Sequence, residues 1–202
     1  VGTGKIGRIF AQILHGYGMN ILLDDLYPDE KFAESIGAKY VDRDTLYAES
    51  DVISLHCPLT PENRYMINDE SIALMKKNVI LLNTGRGGLI DSRALVNALK
   101  DGRIRGAGLD VYEEDKYFFE DWSLEPIRDD ILSRLISFPN VLLTSHQAFL
   151  TEEALGEIAR VTLENVHEWF VNRKTTNEVC YQCTTKNGVE HCAKQETGIC
   201  WT

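Results

Sequence analysis

Three features of this 202-residue sequence predict an α/β fold with a doubly wound parallel sheet. A glycine-rich segment opens the chain, short apolar runs alternate with amphipathic stretches after it, and polar residues follow most of the apolar runs. This alternation is typical of repeated strand-and-helix units, which place parallel strands in one sheet and helices on its faces. Ligands bind such sheets at the carboxyl ends of the strands, so we expect the functional residues there.

The opening segment, from Gly2 through Gly4 to Gly7, fits the G-x-G-x-x-G turn that lays a dinucleotide pyrophosphate on a helix N-terminus. The first glycine allows a tight turn, the second lets the backbone approach phosphate, and the third lets the helix pack closely on the sheet. Only Val1 remains of the strand that should lead into this turn. We therefore expect a Rossmann-type sheet that lacks most of its first strand.

The segment after the glycines predicts a helix over residues 5–17, followed by a buried strand that ends at Asp24. The helix carries five apolar residues on one face at helical spacing, namely Ile6, Ile9, Phe10, Ile13 and Leu14. Asp25 comes directly after the strand, where an acidic side chain accepts hydrogen bonds from the adenosine ribose and repels a 2′-phosphate. The sequence therefore favours NAD over NADP as the cofactor.

The rest of the chain continues the alternation of strands and helices. Strands are predicted at Asn20–Asp24, Lys39–Val41, Asp51–Leu55, Val79–Asn83, Gly106–Asp110 and Val141–Thr144. Further helices are predicted at Asp29–Ile36, Asp42–Glu49, Asn68–Met75, Ser92–Asp101 and Thr151–Asn172. Each of these helices begins near a residue that can cap it.

Composition narrows the possible partners. The chain is 44% hydrophobic and 26% charged, which is ordinary for a folded globular domain. A formal net charge of −10 gives no electrostatic basis for gripping a phosphate backbone, and no apolar run approaches the length that spans a membrane. We therefore expect neither nucleic acid nor membrane as a partner. We also expect the protein to be cytoplasmic.

Two strand ends carry residues suited to an acid substrate. Arg86 follows the predicted strand Val79–Asn83 and is flanked by glycines, and its planar guanidinium matches a carboxylate. His146 follows the last predicted strand, where an imidazole can give a proton to a substrate oxygen or take one from it. A carboxylate beside this imidazole would raise its pKa and fix its tautomer. The acidic run after the Gly106–Asp110 strand offers three candidates, Glu113, Glu114 and Asp115.

The turn from His56 to Thr60 follows another predicted strand. Its prolines stiffen a loop that could border the nicotinamide ribose, although a packing role for His56 fits the sequence equally well. Cys57 is interpreted as a wall or buried thiol, because no base adjoins it and nucleophilic catalysis requires one.

Taken in order, these motifs resemble those of the D-isomer-specific 2-hydroxyacid dehydrogenases. Besides the glycine turn and Asp25, they are His56-Cys57-Pro58-Leu59-Thr60, Asn83-Thr84-Gly85-Arg86-Gly87, Gly108-Leu109-Asp110-Val111-Tyr112 and His146-Gln147-Ala148-Phe149. The resemblance runs from Val1 to about Asn172. The segments at residues 118–122 and 146–151 are most like the D-lactate dehydrogenase branch of this family.

The resemblance implies a two-domain subunit, in which a cofactor domain is inserted into a substrate domain. Residues 1–150 then form the NAD-binding domain, and residues 151–175 form a helix that returns to a substrate domain largely absent from the sequence. Arg86 matches the family arginine that holds the 2-keto acid carboxylate, and His146 matches the acid/base histidine. The expected cofactor site comprises Gly2, Gly4, Lys5, Ile6, Gly7, Asp25, Cys57, Pro58, Asn63, Thr84, Gly85, Arg86 and Asp110.

The family's catalytic glutamate has two candidate positions here. It usually stands two places after the first acid that follows Tyr112, a slot held by Asp115, but the segment to Phe118 is one residue shorter than usual. Glu114 is favoured slightly, because its longer side chain reaches further toward an imidazole that must lie within about 2.6 to 3.2 Å.

The implied reaction is hydride transfer from NADH to the keto carbon of a short 2-keto acid, with pyruvate and D-lactate as the expected pair. Another D-2-hydroxy acid, or a non-catalytic NADH-sensing role, is an alternative. The resemblance also implies a homo-oligomer, a dimer paired through the cofactor domain. Because a missing central strand exposes sheet edges, we expect the 202-residue chain alone to be poorly soluble or inactive.

Residues 176–202 form a cysteine-rich tail beyond the resemblance. Cys180, Cys183, Cys192 and Cys200, with His191, could make a zinc or iron–sulfur site. Their intervals match no known ligand pattern, so a tail of incidental cysteines without a metal is favoured.

Overall fold

The computed structural model describes residues 1–113 and 127–177. They belong to two compact units, one spanning Val1–Ala148 and one that starts at Phe149. The first unit contains six short strands: β1 (Leu22–Leu23), β2 (Lys39–Tyr40), β3 (Val52–Leu55), β4 (Val79–Asn83), β5 (Ile104–Leu109) and β6 (Val141–Leu143). Its helices are α1 (Lys5–Gly16), α2 (Glu30–Ser35), α3 (Arg43–Glu49), α4 (Asp69–Leu74), α5 (Ser92–Lys100) and α6 (Asp130–Ser137).

The strands are all parallel, as the alternating pattern predicts. β1 pairs with β2, and a second group of four runs in the order β3-β4-β5-β6. Strands that follow each other in the sequence are therefore also adjacent within their group, and helices connect them. The arrangement confirms the predicted α/β fold of the Rossmann type.

Val1 and Gly2 join the two groups of strands. The Val1 nitrogen donates to the Ser54 carbonyl over 2.8 Å, the Val1 carbonyl accepts from the His56 N–H over 2.8 Å, and the Gly2 N–H donates to the Asp24 carbonyl over 2.8 Å. The start of the glycine turn thus occupies the position of a strand between β1 and β3. Behind it, a cavity of about 510 Å³ opens between these two strand edges under α1.

The main core packs against the four-stranded group. Alternate residues of β3 and β4, such as Ile53, Leu55 and Leu81, are about 1% exposed, and Leu95 of α5 packs with them. Burying each large aliphatic side chain stabilises the fold by roughly 1.5 to 3 kcal/mol. This packing holds the carboxyl ends of the strands in fixed relative positions.

The apolar residues that line one face of α1 in the sequence are not its buried face. Ile6, Ile9 and Ile13 are 66%, 55% and 52% exposed, whereas Gly7 and Ala11 are buried. Small residues face the sheet because the helix begins in the glycine turn and passes close to its backbone. The isoleucines therefore form an exposed apolar stripe.

α6 is a helix that the sequence pattern did not predict. Asp129 caps it by accepting a hydrogen bond from the Leu132 N–H over 2.9 Å, and Leu132 and Leu135 are fully buried. Its eight residues make about two turns, but α2 and α4 have only six residues each and were predicted, so short length does not explain the omission. It covers the sheet beside β6, which orders the strand before His146.

The second unit contains α7 (Glu152–Asn172). Thr151 caps this helix through a 3.2 Å hydrogen bond from the Ala154 N–H, and Arg173 ends it in the left-handed conformation. Arg160 bridges Glu157 and Glu164 along its surface. Among the described helices, none is both long and apolar enough to cross a membrane.

Candidate functional site

The glycine turn has the shape that its sequence predicts. Gly2 adopts a φ of +87°, and a methyl group there would lie 2.6 Å from the Cys57 nitrogen. A methyl group on Gly7 would overlap the Gly2 carbonyl oxygen, whereas the space beside Gly4 is open. The turn is therefore closed toward the sheet and open on the outside, which is the side a pyrophosphate would approach.

The N-terminus of α1 is prepared for an anion. Gly4 is its N-cap and supplies no capping side chain, and Lys5 and Ile6 in the first turn are exposed. Each of the six other described α-helices has a side chain that accepts from its first turn, namely Asp29, Asp42, Asn68, Asp91, Asp129 and Thr151. The first-turn N–H groups of α1 thus remain available to a phosphate, which the helix dipole also favours.

Asp25 faces the glycine turn from the end of β1. Its Oδ2 accepts from the Thr3 N–H over 2.5 Å and from the Thr3 hydroxyl over 3.0 Å, and its Oδ1 accepts from the Tyr27 N–H over 2.9 Å. Burial alone raises the pKa of this carboxyl, but these hydrogen bonds outweigh it and lower the pKa. The neighbouring Asp24 instead pairs with Arg43 over 2.8 Å.

Asn63 organises the loop after β3. Its Nδ2 donates to the Pro58 carbonyl over 2.7 Å, and its Oδ1 accepts from the Thr60 N–H over 2.7 Å. The Cys57 sulfur lies 3.8 Å from Asn63 Nδ2, and burial raises the pKa of this thiol. Cys57, Pro58 and Asn63 therefore form one loop next to the glycine turn, with a thiol that stays protonated at neutral pH.

His56 packs rather than facing a ligand. Its ring lies 5.0 Å from the Phe10 ring, and its Nε2 is 2.9 Å from the Ser54 hydroxyl. Burial lowers the pKa of this histidine to about 4. Of the two roles that the sequence allowed, these contacts favour packing under α1.

Arg86 stands in a turn held by a buried asparagine. Asn83, at the end of β4, donates through Nδ2 to the Arg86 carbonyl over 2.9 Å and accepts through Oδ1 from the Gly85 N–H over 3.0 Å. The Arg86 side chain is exposed, and its guanidinium donates to the Gly85 carbonyl over 2.8 Å. Thr84 is exposed beside it. The turn thus projects a guanidinium from the carboxyl edge of the sheet.

The turn carrying His146 is fastened to Asp110 at the end of β5. The Asp110 carboxylate accepts from the Thr144 hydroxyl over 2.5 Å, the Gln147 N–H over 2.9 Å and the Ala148 N–H over 3.0 Å. Burial alone raises the pKa of Asp110, but these hydrogen bonds outweigh it and lower the pKa. A buried, ionised carboxylate therefore anchors the turn.

Arg86 and His146 stand on one continuous hydrogen-bonded framework. The Asp110 N–H donates to the Asn83 carbonyl over 2.9 Å, and the His146 N–H donates to the Asp110 carbonyl over 2.7 Å. Since β4, β5 and β6 lie side by side in this order, both candidate residues follow strands at the same edge of the sheet. The structure thus brings together residues that are far apart in the sequence.

Several predicted residues lie outside the described ranges. These are Glu114 and Asp115, the segment at residues 118–122, and Cys180, Cys183, His191, Cys192 and Cys200. Within the described ranges, there is no group of three or more metal-ligating side chains.

Four residues that build the site had no site role assigned from the sequence, namely Thr3, Tyr40, Asn83 and Thr144, although Asn83 stands in one of the motifs named above. Three of these carry hydroxyl groups within hydrogen-bonding distance of a site carboxylate or of each other. Each stands inside or directly beside a strand end or the glycine turn, which was an available signal. The partners of Thr3, Tyr40 and Thr144 lie in other elements, so the sequence could not identify those pairs. Asn83 instead bonds within its own turn, to Gly85 and Arg86.

Comparison with known proteins places this geometry in a family context. Residues 1–148 match the family model described as the D-isomer specific 2-hydroxyacid dehydrogenase, NAD binding domain. The chain is 49% identical over 180 residues to the D-lactate dehydrogenase of Escherichia coli, covering 89% of this chain and 54% of that protein. It is 43% identical over 183 residues to the aromatic 2-oxoacid reductase of Clostridium sporogenes, covering 89% and 55%.

The fold is also similar to a solved structure with ligands. The D-lactate dehydrogenase of Aquifex aeolicus, complexed with NAD and lactic acid, superposes with a TM-score of 0.78 at 34% identity, covering 89% of this chain and 56% of that one. The chain spans about half the length of the curated relatives it matches.

Proposed function

This chain belongs to the D-isomer-specific 2-hydroxyacid dehydrogenase family, whose NAD-binding domain it contains, and from that premise we propose that it reduces a short 2-keto acid with NADH. Pyruvate is the proposed substrate and D-lactate the product. The observation that carries the proposal is the framework through Asn83 and Asp110, which holds Arg86 after β4 and His146 after β6, on either side of β5.

Arg86 binds the carboxylate of the substrate in this proposal. Its guanidinium is exposed and its only described hydrogen bond is to the Gly85 carbonyl, so most of its five donors remain available. Two parallel hydrogen bonds from such a fork orient a carboxylate as well as bind it. The adjacent keto oxygen is then held in a fixed position.

His146 donates the proton that the developing alkoxide takes up. The imidazole is half-buried, and its turn is fixed by the 2.7 Å hydrogen bond to the Asp110 carbonyl. A proton donor must lie within hydrogen-bonding reach of the substrate oxygen, so fixing the turn also fixes that distance. Glu114, or Asp115 in its place, is proposed to orient the imidazole and stabilise its charged form.

The residues of the glycine turn fit the cofactor. The uncapped start of α1 suits the pyrophosphate, and the Asp25 carboxylate suits a ribose hydroxyl. The loop that contains Cys57, Pro58 and Asn63 continues the site toward the substrate, with Thr84, Gly85 and Asp110 on the neighbouring strand ends. Bound NADH supplies the hydride that reduces the keto carbon.

A second substrate class is supported by the comparisons. The Clostridium relative is named an aromatic 2-oxoacid reductase, and it is nearly as similar to this chain as the Escherichia coli D-lactate dehydrogenase. Arg86 and His146 act on groups that all 2-keto acids share, so neither discriminates among substrate side chains. A larger 2-keto acid is therefore the alternative substrate, and a non-catalytic NADH sensor is the alternative function.

Turnover of the intact protein tests the proposal. NADH oxidation would be measured with pyruvate, with 2-ketoisocaproate and with phenylpyruvate as separate substrates. One NADH should be consumed per 2-keto acid reduced, and the enantiomer of each product would be determined. We expect D-lactate and the highest kcat/KM with pyruvate. A preference for phenylpyruvate would overturn the substrate, and NADH binding without turnover of any 2-keto acid would overturn the reaction.

Three further features complete the proposal. We propose that residues 1–150 form the cofactor domain, that residues 151–175 return to a substrate domain, and that the protein is a cytoplasmic homodimer. Pairing through the cofactor domain would cover the exposed isoleucines of α1. Sedimentation of the intact protein at two subunit masses is the expected result.

A further inference from the structure

We propose that Thr3 and Tyr40 are specificity-determining residues, which hold the Asp25 carboxylate in the position from which it distinguishes NADH from NADPH. The three side chains form a hydrogen-bonded chain across the glycine turn and the ends of β1 and β2. The inference goes beyond the proposed reaction, because coenzyme binding is measured without turnover.

The direction of this chain follows from the chemistry of its members. An ionised carboxylate only accepts hydrogen bonds, so the Thr3 hydroxyl must donate its single proton to Asp25 Oδ2, 3.0 Å away. The Tyr40 hydroxyl lies 2.9 Å from the same Thr3 oxygen. Since the Thr3 proton is already used, Tyr40 must donate to Thr3. The result is a directed relay from Tyr40 through Thr3 to Asp25.

The relay determines which acceptor position of the Asp25 carboxylate remains available to a ligand. Oδ2 is filled by the N–H and the hydroxyl of Thr3, and Oδ1 accepts from the Tyr27 N–H. A carboxylate has about four acceptor positions, so about one remains, and it is on Oδ1. The position that can receive a ribose hydroxyl is therefore set by how Thr3 fixes Oδ2.

Thr3 is placed to act as a rigid support. It is 5% exposed, it lies within the glycine turn, and its carbonyl accepts from the Arg8 guanidinium over 2.8 Å. Arg8 is held in turn by Asp29 over 2.6 Å and lies over the Phe32 ring. Thr3 thus has little freedom to follow Asp25 if the carboxylate rotates.

Rotation of Asp25 would weaken coenzyme discrimination. A fixed carboxylate accepts the ribose hydroxyl of NADH and places a negative charge where NADPH carries a 2′-phosphate. Without the Thr3 hydroxyl, the carboxylate keeps only main-chain partners and can turn toward water. Both the attraction to NADH and the repulsion of NADPH then decrease.

Coenzyme binding to the intact protein tests the relay. The Kd values of NADH and NADPH would be measured by nicotinamide fluorescence for wild type, Thr3→Val, Thr3→Ser and Tyr40→Phe. For Thr3→Val, which loses a hydrogen bond to a charged group, we expect the Kd of NADH to rise about tenfold. The Kd of NADPH should stay constant or fall, so the ratio of the NADPH Kd to the NADH Kd decreases.

The other variants separate the relay from a packing effect. Thr3→Ser keeps the hydroxyl and should show the wild-type preference for NADH. Tyr40→Phe should lower the ratio of the NADPH Kd to the NADH Kd by about threefold, the same direction as Thr3→Val. Thr45→Val is the matched control, because Thr45 donates in the same way to Asp42 over 2.8 Å on α3. It should leave both Kd values unchanged.

Two results would overturn the proposal. One is a parallel weakening of NADH and NADPH binding in Thr3→Val that Thr3→Ser does not restore, since that indicates a packing defect. The other is an unchanged NADH preference in Tyr40→Phe, which remains decisive even if Thr3→Val fails to fold.

Discussion

The main chain of His146 is bound to the main chain of Asp110, with the His146 N–H donating to the Asp110 carbonyl over 2.7 Å. His146 has a φ of +52°, an uncommon conformation for a residue other than glycine. The Asp110 carboxylate accepts from two further N–H groups of the same turn. These bonds compensate for the unusual backbone and fix the main chain that carries the imidazole.

Replacing Asp110 with Asn should therefore loosen the His146 turn. An amide group can replace the carboxylate as an acceptor at one oxygen only, so the Ala148 N–H is left without a good acceptor at a cost of about 1 to 3 kcal/mol. We expect a lower Tm and a lower kcat. Asp51→Asn is the control, because that carboxylate is exposed and has a single 3.1 Å contact with Lys76.

The same variant should change how stability depends on pH. The native pKa of Asp110 is lowered, so its ionised form stabilises the protein above the ordinary carboxyl pKa, and this contribution is lost as the pH falls through the lowered native value. Urea unfolding between about pH 2 and pH 6 should show the loss in wild type and a smaller one in Asp110→Asn. Identical profiles would exclude Asp110 as an ionised anchor.

Arg86→Lys should separate substrate binding from cofactor binding. A lysine keeps the positive charge but loses the planar fork, so we expect kcat/KM with pyruvate to fall about 100-fold or more. The Kd of NADH should change less than about twofold, because the variant leaves the glycine turn intact. If turnover with pyruvate stays at the wild-type level, the assignment of Arg86 to the carboxylate is wrong.

Gly7→Ala should damage the cofactor turn. Its new methyl group would overlap the Gly2 carbonyl, so α1 must shift, and overpacking of this kind costs about 1 to 3 kcal/mol. We expect a lower Tm and weaker NADH binding. Gly16→Ala on the same helix is the matched control, since the space beside Gly16 is open. Equal effects of both substitutions would contradict the close approach of α1 to the turn.

His56 should titrate far below an ordinary histidine. Its pKa is lowered to about 4 by burial, against an unfolded value near 6.5. Between these values the unfolded chain binds a proton that the native state does not, so stability decreases as the pH falls, by at most about 1.4 kcal/mol per pH unit. NMR titration of the ring checks this pKa, and His56→Gln should flatten the stability profile in that range.

The local elements were largely predictable. The caps Asp29, Asp42 and Asn68 stand where the predicted helices begin, and all six predicted strands are present, although β1 and β2 are only two residues long. Capping and periodicity act over a few residues, so they can be recognised in the sequence itself. α6 was not predicted, although Asp129 caps it in the same way as Asp29, Asp42 and Asn68 cap their helices.

Which face of α1 is buried could not be predicted from the sequence. Its apolar stripe contains Ile6, Ile9 and Ile13, yet the face against the sheet consists of Gly7 and Ala11. Periodicity identifies a face but cannot say what lies opposite it. Here the close backbone of the glycine turn excludes large side chains from the buried face.

In the candidate site, the residues could be predicted from the sequence but their contacts could not. Residue type and position after a strand were enough to single out Asp25, Arg86, Asp110 and His146, because parallel strands bring their carboxyl ends to one edge. The structure adds the partners of the two adjacent acids, since Asp24 pairs with Arg43 and Asp25 accepts from Thr3.

From the amino-acid order alone came the α/β class, the glycine turn, the family and the residues with suitable chemistry, because each depends on short-range spacing. The tertiary structure alone decided the pairings: Thr3 with Tyr40, Thr144 with Asp110, and the Asn83 carbonyl with the Asp110 N–H. Hydrogen bonds require donor and acceptor within about 3 Å. Such proximity depends on strand order and register, which arise only when the whole sheet is packed.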